Sequence, residues 1–114
     1  MPFVNITTAK KLDYATKFRL YGKIGELMPI LPGKTLDNTL LTINDGVSMF
    51  MHGKVEDGVF VSVQCYQKSP EASKKEFSKK VYEALEEVLE LDAEDCVYMN
   101  FLEFENWASG GNYF

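Results

Sequence analysis

The strongest constraint on the fold is a strand–helix–strand pattern that occurs twice along the chain. In its first copy, residues 2–8 alternate apolar and polar side chains as a strand does, and residues 12–31 carry apolar side chains close to helical spacing. "TLLTIN" at 39–44 predicts a second strand. The "LPGK" between them ends the helix, since Pro32 is incompatible with a continued helix and Gly33 supplies the permissive backbone of a turn.

The second copy starts at residue 59. "VFVSVQCY" at 59–66 alternates as a strand, residues 69–91 form an amphipathic helical pattern, and "CVYMNFLEF" at 96–104 predicts the closing strand. We therefore interpret residues 2–45 and 59–104 as two βαβ repeats in tandem.

Each predicted helix has an apolar stripe that predicts its buried face. In the first helix the stripe consists of Leu12, Ala15, Phe18, Tyr21, Ile24, Leu27, Met28 and Leu31. In the second helix it consists of Phe77, Val81, Ala84, Leu85 and Val88. Ser69 is the predicted N-cap of this helix and Pro70 its first residue. Its lysines precede its glutamates, against the helix dipole, and the sequence offers no stabilising reason for that order.

Two such repeats predict a single α+β domain over residues 1–114, arranged as two α/β layers. We expect a four-stranded mixed sheet with both helices on one face, because crossover connections are right-handed. The other face is then bare, and residues such as Tyr98, Asn100 and Leu102 are too apolar for open water over a whole sheet. Another subunit is expected to cover it, and the short segments around 49–51 and at the C-terminus could add strands to a neighbour's edge.

Composition argues against several classes of protein. The net charge is −5 and the cations are not gathered into a basic stripe, which argues against a nucleic-acid partner. No apolar run approaches the ~20 residues of a membrane span, and no signal peptide is recognisable. Cys65 and Cys96, the only cysteines, have no spacing that suggests a disulfide framework or a zinc site. The expectation is a soluble, cytoplasmic protein without nucleic-acid or membrane partners.

Pro2 allows two interpretations. A proline is tolerated at the start of a strand, because its missing N–H costs no ladder hydrogen bond there. Alternatively, removal of Met1, which is usual before a small residue, leaves Pro2 as a free secondary amine. An α-amino group titrates near ~7.7–8.0, and burial or a nearby cation such as Lys34 lowers that value. Such an amine would be a base at neutral pH.

The other candidate reactive residues have simpler structural interpretations. His52 is the only histidine and lies in the turn-like "MHGK", where it is expected to be exposed or structurally satisfied. Cys65 and Cys96 fall in predicted strands and are expected to be small core residues rather than nucleophiles. Glu103 and Glu105 are expected at a solvated edge.

Several of these features together resemble one family. They are the Pro2 start, the two βαβ repeats, "PGK" after the first helix, "VYMN" on the last strand and the tail "NWASGGNYF". Their order, their spacing and the chain length resemble the tautomerase superfamily, in particular the branch of macrophage migration inhibitory factor (MIF) and D-dopachrome tautomerase. The resemblance covers all 114 residues.

The resemblance implies a homotrimer whose sheets, wrapped by helices, enclose a central channel, with active sites at the subunit boundaries. It implies that Pro2 is the catalytic base and that Lys34 binds the carboxylate or carbonyl oxygen of the substrate. The other substrate-binding positions that it implies are Cys65 and Tyr66 and, from the adjacent subunit, Tyr98 and Asn100. It implies no cofactor and no metal.

The activity implied is a 1,3-proton transfer that interconverts keto and enol tautomers. The substrate class is an aromatic α-keto acid such as phenylpyruvate, with dopachrome isomerisation as a related reaction. Aromatic residues that could line the pocket are Phe3, Tyr66, Tyr98, Trp107 and Phe114. A dicarboxylate substrate is not expected, because Arg19, deep in the first helical pattern, is the only arginine.

A second hypothesis is a trimeric binding protein that keeps this fold and contacts a protein receptor, as the secreted cytokine members do. Those members also lack a signal peptide, so secretion by a non-classical route stays open. The sequence departs from the family pattern at Tyr66 and Gln67, where relatives often have a smaller aliphatic residue and a glycine. It also lacks the CxxC of the vertebrate cytokine, so no redox role carries over.

Overall fold

The fold is described from a computed structural model that covers residues 2–114; the predicted removal of Met1 therefore lies outside the described residues. The elements are β1 (Phe3–Thr8), α1 (Tyr14–Leu27), β2 (Leu40–Asn44), β3 (Phe50–Met51), β4 (Lys54–Val55), β5 (Val59–Tyr66), α2 (Glu71–Leu89), α3 (Ala93–Cys96), β6 (Val97–Phe104), β7 (Ala108–Ser109) and β8 (Asn112–Tyr113). Single 3₁₀ turns lie at Met28–Ile30 and Leu36–Asn38.

One mixed sheet of four strands organises the chain, in the order β2-β1-β5-β6. β1 pairs parallel with β2, and β5 pairs parallel with β6, so each pair is joined through a helix. The inner strands β1 and β5 are antiparallel to each other. The predicted α+β fold with a four-stranded mixed sheet and two βαβ units is therefore confirmed.

Both long helices pack on one face of this sheet. Alternate residues of β1 and β5 are buried against them, with Val4, Ile6, Val61 and Val63 at 1% exposure or less. Every residue of the apolar stripe predicted for α2 is buried. The opposite face has no helix over it in the part of the chain that the structure describes, and its exposed apolar residues include Leu40, Phe60, Tyr98 and Leu102.

The stripe predicted for α1 is wrong in part. Phe18 is 59% exposed, whereas Leu20, which was not assigned to the stripe, is completely buried. The large buried side chains of α1 and the following turn belong to Leu20, Ile24 and Met28, which are four apart and therefore share one helix face. Phe18 stands two positions from Leu20, about 200° around the helix, and so points to solvent.

The ends of α2 also differ from the prediction. The helix begins at Glu71 with Pro70 as its N-cap residue, and the backbone N–H of Ser69 donates instead to Glu103 Oε2 at 2.6 Å. At the other end, Lys10 Nζ donates to the carbonyl oxygen of Leu89 at 2.7 Å. The cation that complements the C-terminus of α2 thus comes from the loop after β1 rather than from α2 itself.

Two tight hairpins lie beside the main sheet. β3 and β4 are joined by His52 and Gly53, and β7 and β8 by Gly110 and Gly111, all with positive φ, as two-residue hairpin turns of type I′ require. The turn predicted at "MHGK" is therefore confirmed. Cys96 ends α3 rather than starting the last strand. Among the helices within residues 2–114, none is both long and apolar enough to cross a membrane.

Candidate active site

Pro2 lies immediately before β1 and is buried. Its carbonyl oxygen accepts a hydrogen bond from the backbone N–H of Leu40 at 2.9 Å, which ties the start of the chain to β2. The alternation of β1 puts Pro2 on the same face of the sheet as Val4 and Ile6, under the helices. The surroundings of Pro2 are thus those that penalise a positive charge on its nitrogen.

Cys65 is the neighbour of Pro2 across the antiparallel pairing. The last pair in the ladder is Phe3 with Gln64, and one further step sets Pro2 beside Cys65, about 4.8 Å away between strands. Cys65 is 2% exposed, and burial raises the pKa of its thiol. The thiol therefore stays protonated at neutral pH, as predicted for a small core residue rather than a nucleophile.

A tight turn directs Lys34 towards the end of β5 at which Cys65 lies. Pro32 and Gly33 occupy the centre of the turn, with Gly33 at φ +78°, and the N–H of Lys34 donates to the carbonyl oxygen of Leu31 at 3.0 Å. The ammonium group lies close enough to Cys65 for its charge to oppose the effect of burial on the pKa of that thiol.

The C-terminal hairpin brings aromatic rings to the same end of the sheet. The ring of Phe114 lies 5.5 Å from that of Tyr66, and the rings of Trp107 and Phe104 are 6.3 Å apart. The N–H of Phe114 donates to the carbonyl oxygen of Trp107 at 2.7 Å, which holds the tail closed. Tyr66, Trp107 and Phe114, three of the aromatic residues predicted for the pocket, therefore lie in one region.

An open cavity of about 780 Å³ lies at this end of β5 and β6. Its lining consists of Gln67, Lys68, Glu103, Phe104 and Glu105. This volume falls within the range of small-molecule sites, and the lining combines one aromatic ring with both signs of charge.

Tyr98 and Asn100 lie elsewhere in the same chain. They pair with Phe60 and Ser62, which places them five and three residues before Glu103, the partner of Cys65. At about 3.3 Å per residue they are about 16 Å and 10 Å along the sheet from the level of Pro2. They also face away from the helices. A single chain therefore does not bring this pair to its own Pro2.

A charged cluster next to Cys65 was not predicted. Glu103 Oε1 accepts a hydrogen bond from Lys74 Nζ at 2.7 Å, and Lys74 Nζ also lies 3.1 Å from Glu71 Oε1. The side chains of Glu103 and Lys74 are only 16% and 12% exposed, so the solvated edge expected for Glu103 is wrong. The signal was present in the sequence, since Glu103 alternates with Val97, Met99 and Phe101 on the covered face of β6.

The hydrogen bonds of this cluster determine the ionisation states of Glu103 and Lys74. Burial raises the pKa of the Glu103 carboxyl, but Lys74 and the N–H of Ser69 outweigh that effect and hold the pKa below its ordinary value. The hydrogen bond to Glu103 raises the pKa of Lys74. Both groups are therefore ionised at neutral pH.

Comparison with known proteins finds no match among protein-family models and none among curated sequences. Solved structures do match over nearly the whole chain. MIF2 of Leishmania major is 18% identical, with a TM-score of 0.90, and the match covers 100% of this chain and 97% of that one. The MIF homologue of Prochlorococcus marinus is 22% identical, with a TM-score of 0.85 and 98% of each chain covered. This chain has the MIF fold.

A further match in the MIF fold is to a protein in an inactivated form. Pt0534 inactivated by 2-oxo-3-pentynoate is 14% identical, with a TM-score of 0.80, and the match covers 90% of this chain and 85% of that one. At such identities the likeness is one of fold. The MIF fold thus agrees with the family predicted from the Pro2, "PGK" and "VYMN" features.

Proposed function

We propose that the protein is a keto–enol tautomerase of the tautomerase superfamily that uses Pro2 as its general base once Met1 is removed. The observation that carries the proposal is the position of Pro2, buried at the start of β1 and one step beyond the Phe3–Gln64 pair, on the level of Cys65, whose thiol senses the charge of Lys34. A buried secondary amine near a cation is held in its neutral form, which is the form that accepts a proton.

The proposed reaction moves one proton within an aromatic α-keto acid such as phenylpyruvate. The nitrogen of Pro2 takes a proton from the carbon next to the carbonyl group, or from the hydroxyl of the enol, and returns it to the other end of the system. The electron pair moves onto the carbonyl oxygen in the intermediate enolate, where Lys34 and, from the adjacent subunit, Asn100 stabilise the charge. A positioned base contributes about 10²–10⁴-fold to the rate. The net reaction needs no cofactor or metal.

The charge and the aromatic rings of the region support the proposed substrate class. Lys34 offers one cation for a carboxylate, and Tyr66, Trp107 and Phe114 offer aromatic surface. The inactivation of Pt0534 by a 2-oxo acid is compatible with a ligand of the same kind here.

The proposed enzyme is a homotrimer. Tyr98 is 56% exposed on the bare face of the sheet, and it and Asn100 are too far from Pro2 in one chain to meet a substrate held there. A neighbouring subunit would bring its own pair to the site and cover the apolar face. We expect the purified protein to sediment with three times the mass of one chain.

The decisive experiment follows ketonisation of the enol of phenylpyruvate by absorbance, with methionine-free protein. Pro2→Gly removes the secondary amine of the ring and should lower kcat/KM by at least about 10²-fold. Pro29→Gly is the matched control, since Pro29 is exposed and lies outside the site. Equal rates for the wild type and Pro2→Gly would contradict the proposal.

A second candidate is a trimeric protein-binding module of the cytokine kind with vestigial catalysis. The observation that favours it is the ring pair of Tyr14 and Phe18, 5.2 Å apart and 74% and 59% exposed, on the side of α1 that faces away from the sheet. Exposed aromatic pairs are common anchors of protein interfaces. Equal rates in the Pro2→Gly experiment would put this candidate first.

A further inference from the structure

We propose that Glu103 and Lys74 act as a pair of positioning residues that set the proton affinity of the Pro2 nitrogen, with Glu103 favouring its charged form and Lys74 its neutral form. This inference rests on the proposed tautomerase function, because it concerns the proton affinity of the same base, Pro2.

The register of the sheet places Pro2, Cys65 and Glu103 in one row across three neighbouring strands. Pro2 stands beside Cys65 across β1 and β5, and Cys65 pairs with Glu103 across β5 and β6. Paired residues of neighbouring strands project to the same face, and here it is the face under the helices. With strands about 4.8 Å apart, Glu103 lies about 10 Å from Pro2 with one neutral thiol between them.

The pair is held in place and poorly exposed to solvent. Glu103 accepts from Lys74 Nζ at 2.7 Å and from the N–H of Ser69 at 2.6 Å, so its carboxylate has both oxygens engaged. Because both side chains are mostly buried, salt and water screen their charges less than they screen surface charges. The two charges also reach the thiol between them and Pro2, since Glu103 and Lys74 act in opposite directions on the pKa of Cys65.

Other charged groups face the same corner from neighbouring elements. They are Lys34 on the turn before the second 3₁₀ turn, Lys68 after β5 and Glu71 at the start of α2. Lys34 favours the neutral amine, as Lys74 does. Glu103 and Lys74 differ from these groups in being joined by a hydrogen bond of 2.7 Å with both side chains mostly buried, so neutralising either one removes a single charge at a known position.

The opposite signs of the two charges give an experiment with a distinctive outcome. In methionine-free protein, the rise of kcat/KM with pH reports the ionisation of the free base. Glu103→Gln should move this rise to lower pH, because the amine loses a nearby anion while the charge of Lys74 stays in place. Lys74→Gln should move it to higher pH. We expect shifts of about half to one pH unit in each case, and a double variant close to the wild type.

Lys23→Gln and Glu87→Gln are the matched controls. Lys23 Nζ and Glu87 Oε2 form an ion pair of 2.9 Å between α1 and α2, with side chains 40% and 57% exposed. They carry the same change in charge, and neither should move the profile. A loss of stability alone would lower activity in the Glu103 and Lys74 variants without moving their profiles in opposite directions.

Shifts of the same sign in both variants, or no shift in either, would overturn the inference. If Glu103→Gln fails to fold, Lys74→Gln still tests the predicted sign. If the wild type shows no turnover, the proposed function fails, and titration of the ¹⁵N signal of Pro2 in the same variants decides this inference separately.

Discussion

Gln67 has a backbone conformation that is unfavourable for a residue with a side chain. Its φ is +66°, in the left-handed region, and its N–H donates to the carbonyl oxygen of Phe104 at 2.7 Å as the chain leaves β5. A residue with a Cβ loses about 1–2 kcal/mol in this conformation, whereas glycine loses about 0.5–1 kcal/mol more conformational entropy on folding.

We therefore expect Gln67→Gly to stabilise the protein by about 0.5–1 kcal/mol. The same substitution at Gln64, in the middle of β5, should destabilise it, because strand backbone gains nothing from glycine. Urea unfolding of the two variants measures both changes. A destabilised Gln67→Gly variant would mean that its side chain makes a contact worth more than the backbone strain.

The residues of the site were predictable to different degrees. Pro2 and Lys34 could be located because their positions follow from local signals, a chain start before a strand and a "PGK" turn. The place of Glu103 depends on which face of β6 the helices cover, which local patterning shows only when the whole strand is considered. Its bond to Lys74 joins residues 29 apart, and no spacing rule predicts it.

At the scale of elements, the strands and α2 were predicted well and the face of α1 was not. The assumed stripe of α1 ran mostly in steps of three residues, and each such step turns 300° rather than a full circle. The line of apolar residues therefore winds around the helix, and it includes the exposed Phe18 while it misses Leu20. The stripe of α2 mixes steps of three and four, stays on one face, and is buried as predicted.

The corrected face of α1 makes a paired prediction. Leu20→Ala should cost about 2–5 kcal/mol, because it leaves a cavity in the core. Phe18→Ala should change stability by no more than about 0.5 kcal/mol, because more than half of that ring is in solvent. Thermal and urea unfolding of both variants provide the measurement. The reverse order of destabilisation would restore the stripe expected from the sequence.

At the scale of the whole molecule, each of the two repeats contains a carboxylate whose pKa is lowered by contacts within that repeat. Asp45, just after β2, accepts hydrogen bonds from the N–H of Leu12 at 2.8 Å and lies 3.1 Å from Lys17 Nζ. The backbone N–H contributes most, and Lys17 next, to holding the pKa of Asp45 below its ordinary value. Glu103 holds the second repeat together in the same way.

These shifts predict the direction of the acid response. A carboxylate with a depressed folded pKa contributes stability that is present above its unfolded pKa, about 3.9 for Asp and 4.3 for Glu, and is lost as pH falls through the folded value. We expect the urea midpoint to fall as pH is lowered from about 5 to 3. The Asp45→Asn variant should have a lower urea midpoint than the wild type at pH 6, and its midpoint should fall less steeply as the pH is lowered. An equally steep fall in Asp45→Asn would mean that Asp45 contributes nothing to it.

The arrangement of the whole molecule also explains why part of the site could not be predicted from one chain. The sheet leaves Tyr98 and Asn100 on a bare face and Pro2 under the helices at its far end. Sequence patterning predicts both the bare face and the buried start. For the proposed trimer, it does not show which copy of the chain would supply each part of the site, because that depends on contacts between subunits.

The central claim, that the nitrogen of Pro2 is a base kept neutral by its surroundings, is tested most directly by titrating that nitrogen. Processed protein labelled with ¹⁵N-proline would be followed by NMR across the neutral range. We expect an ionisation below the ~7.7–8.0 of an ordinary α-amino group, because burial and Lys34 both disfavour the cation. A nitrogen that stays protonated to above about pH 9 would contradict the account.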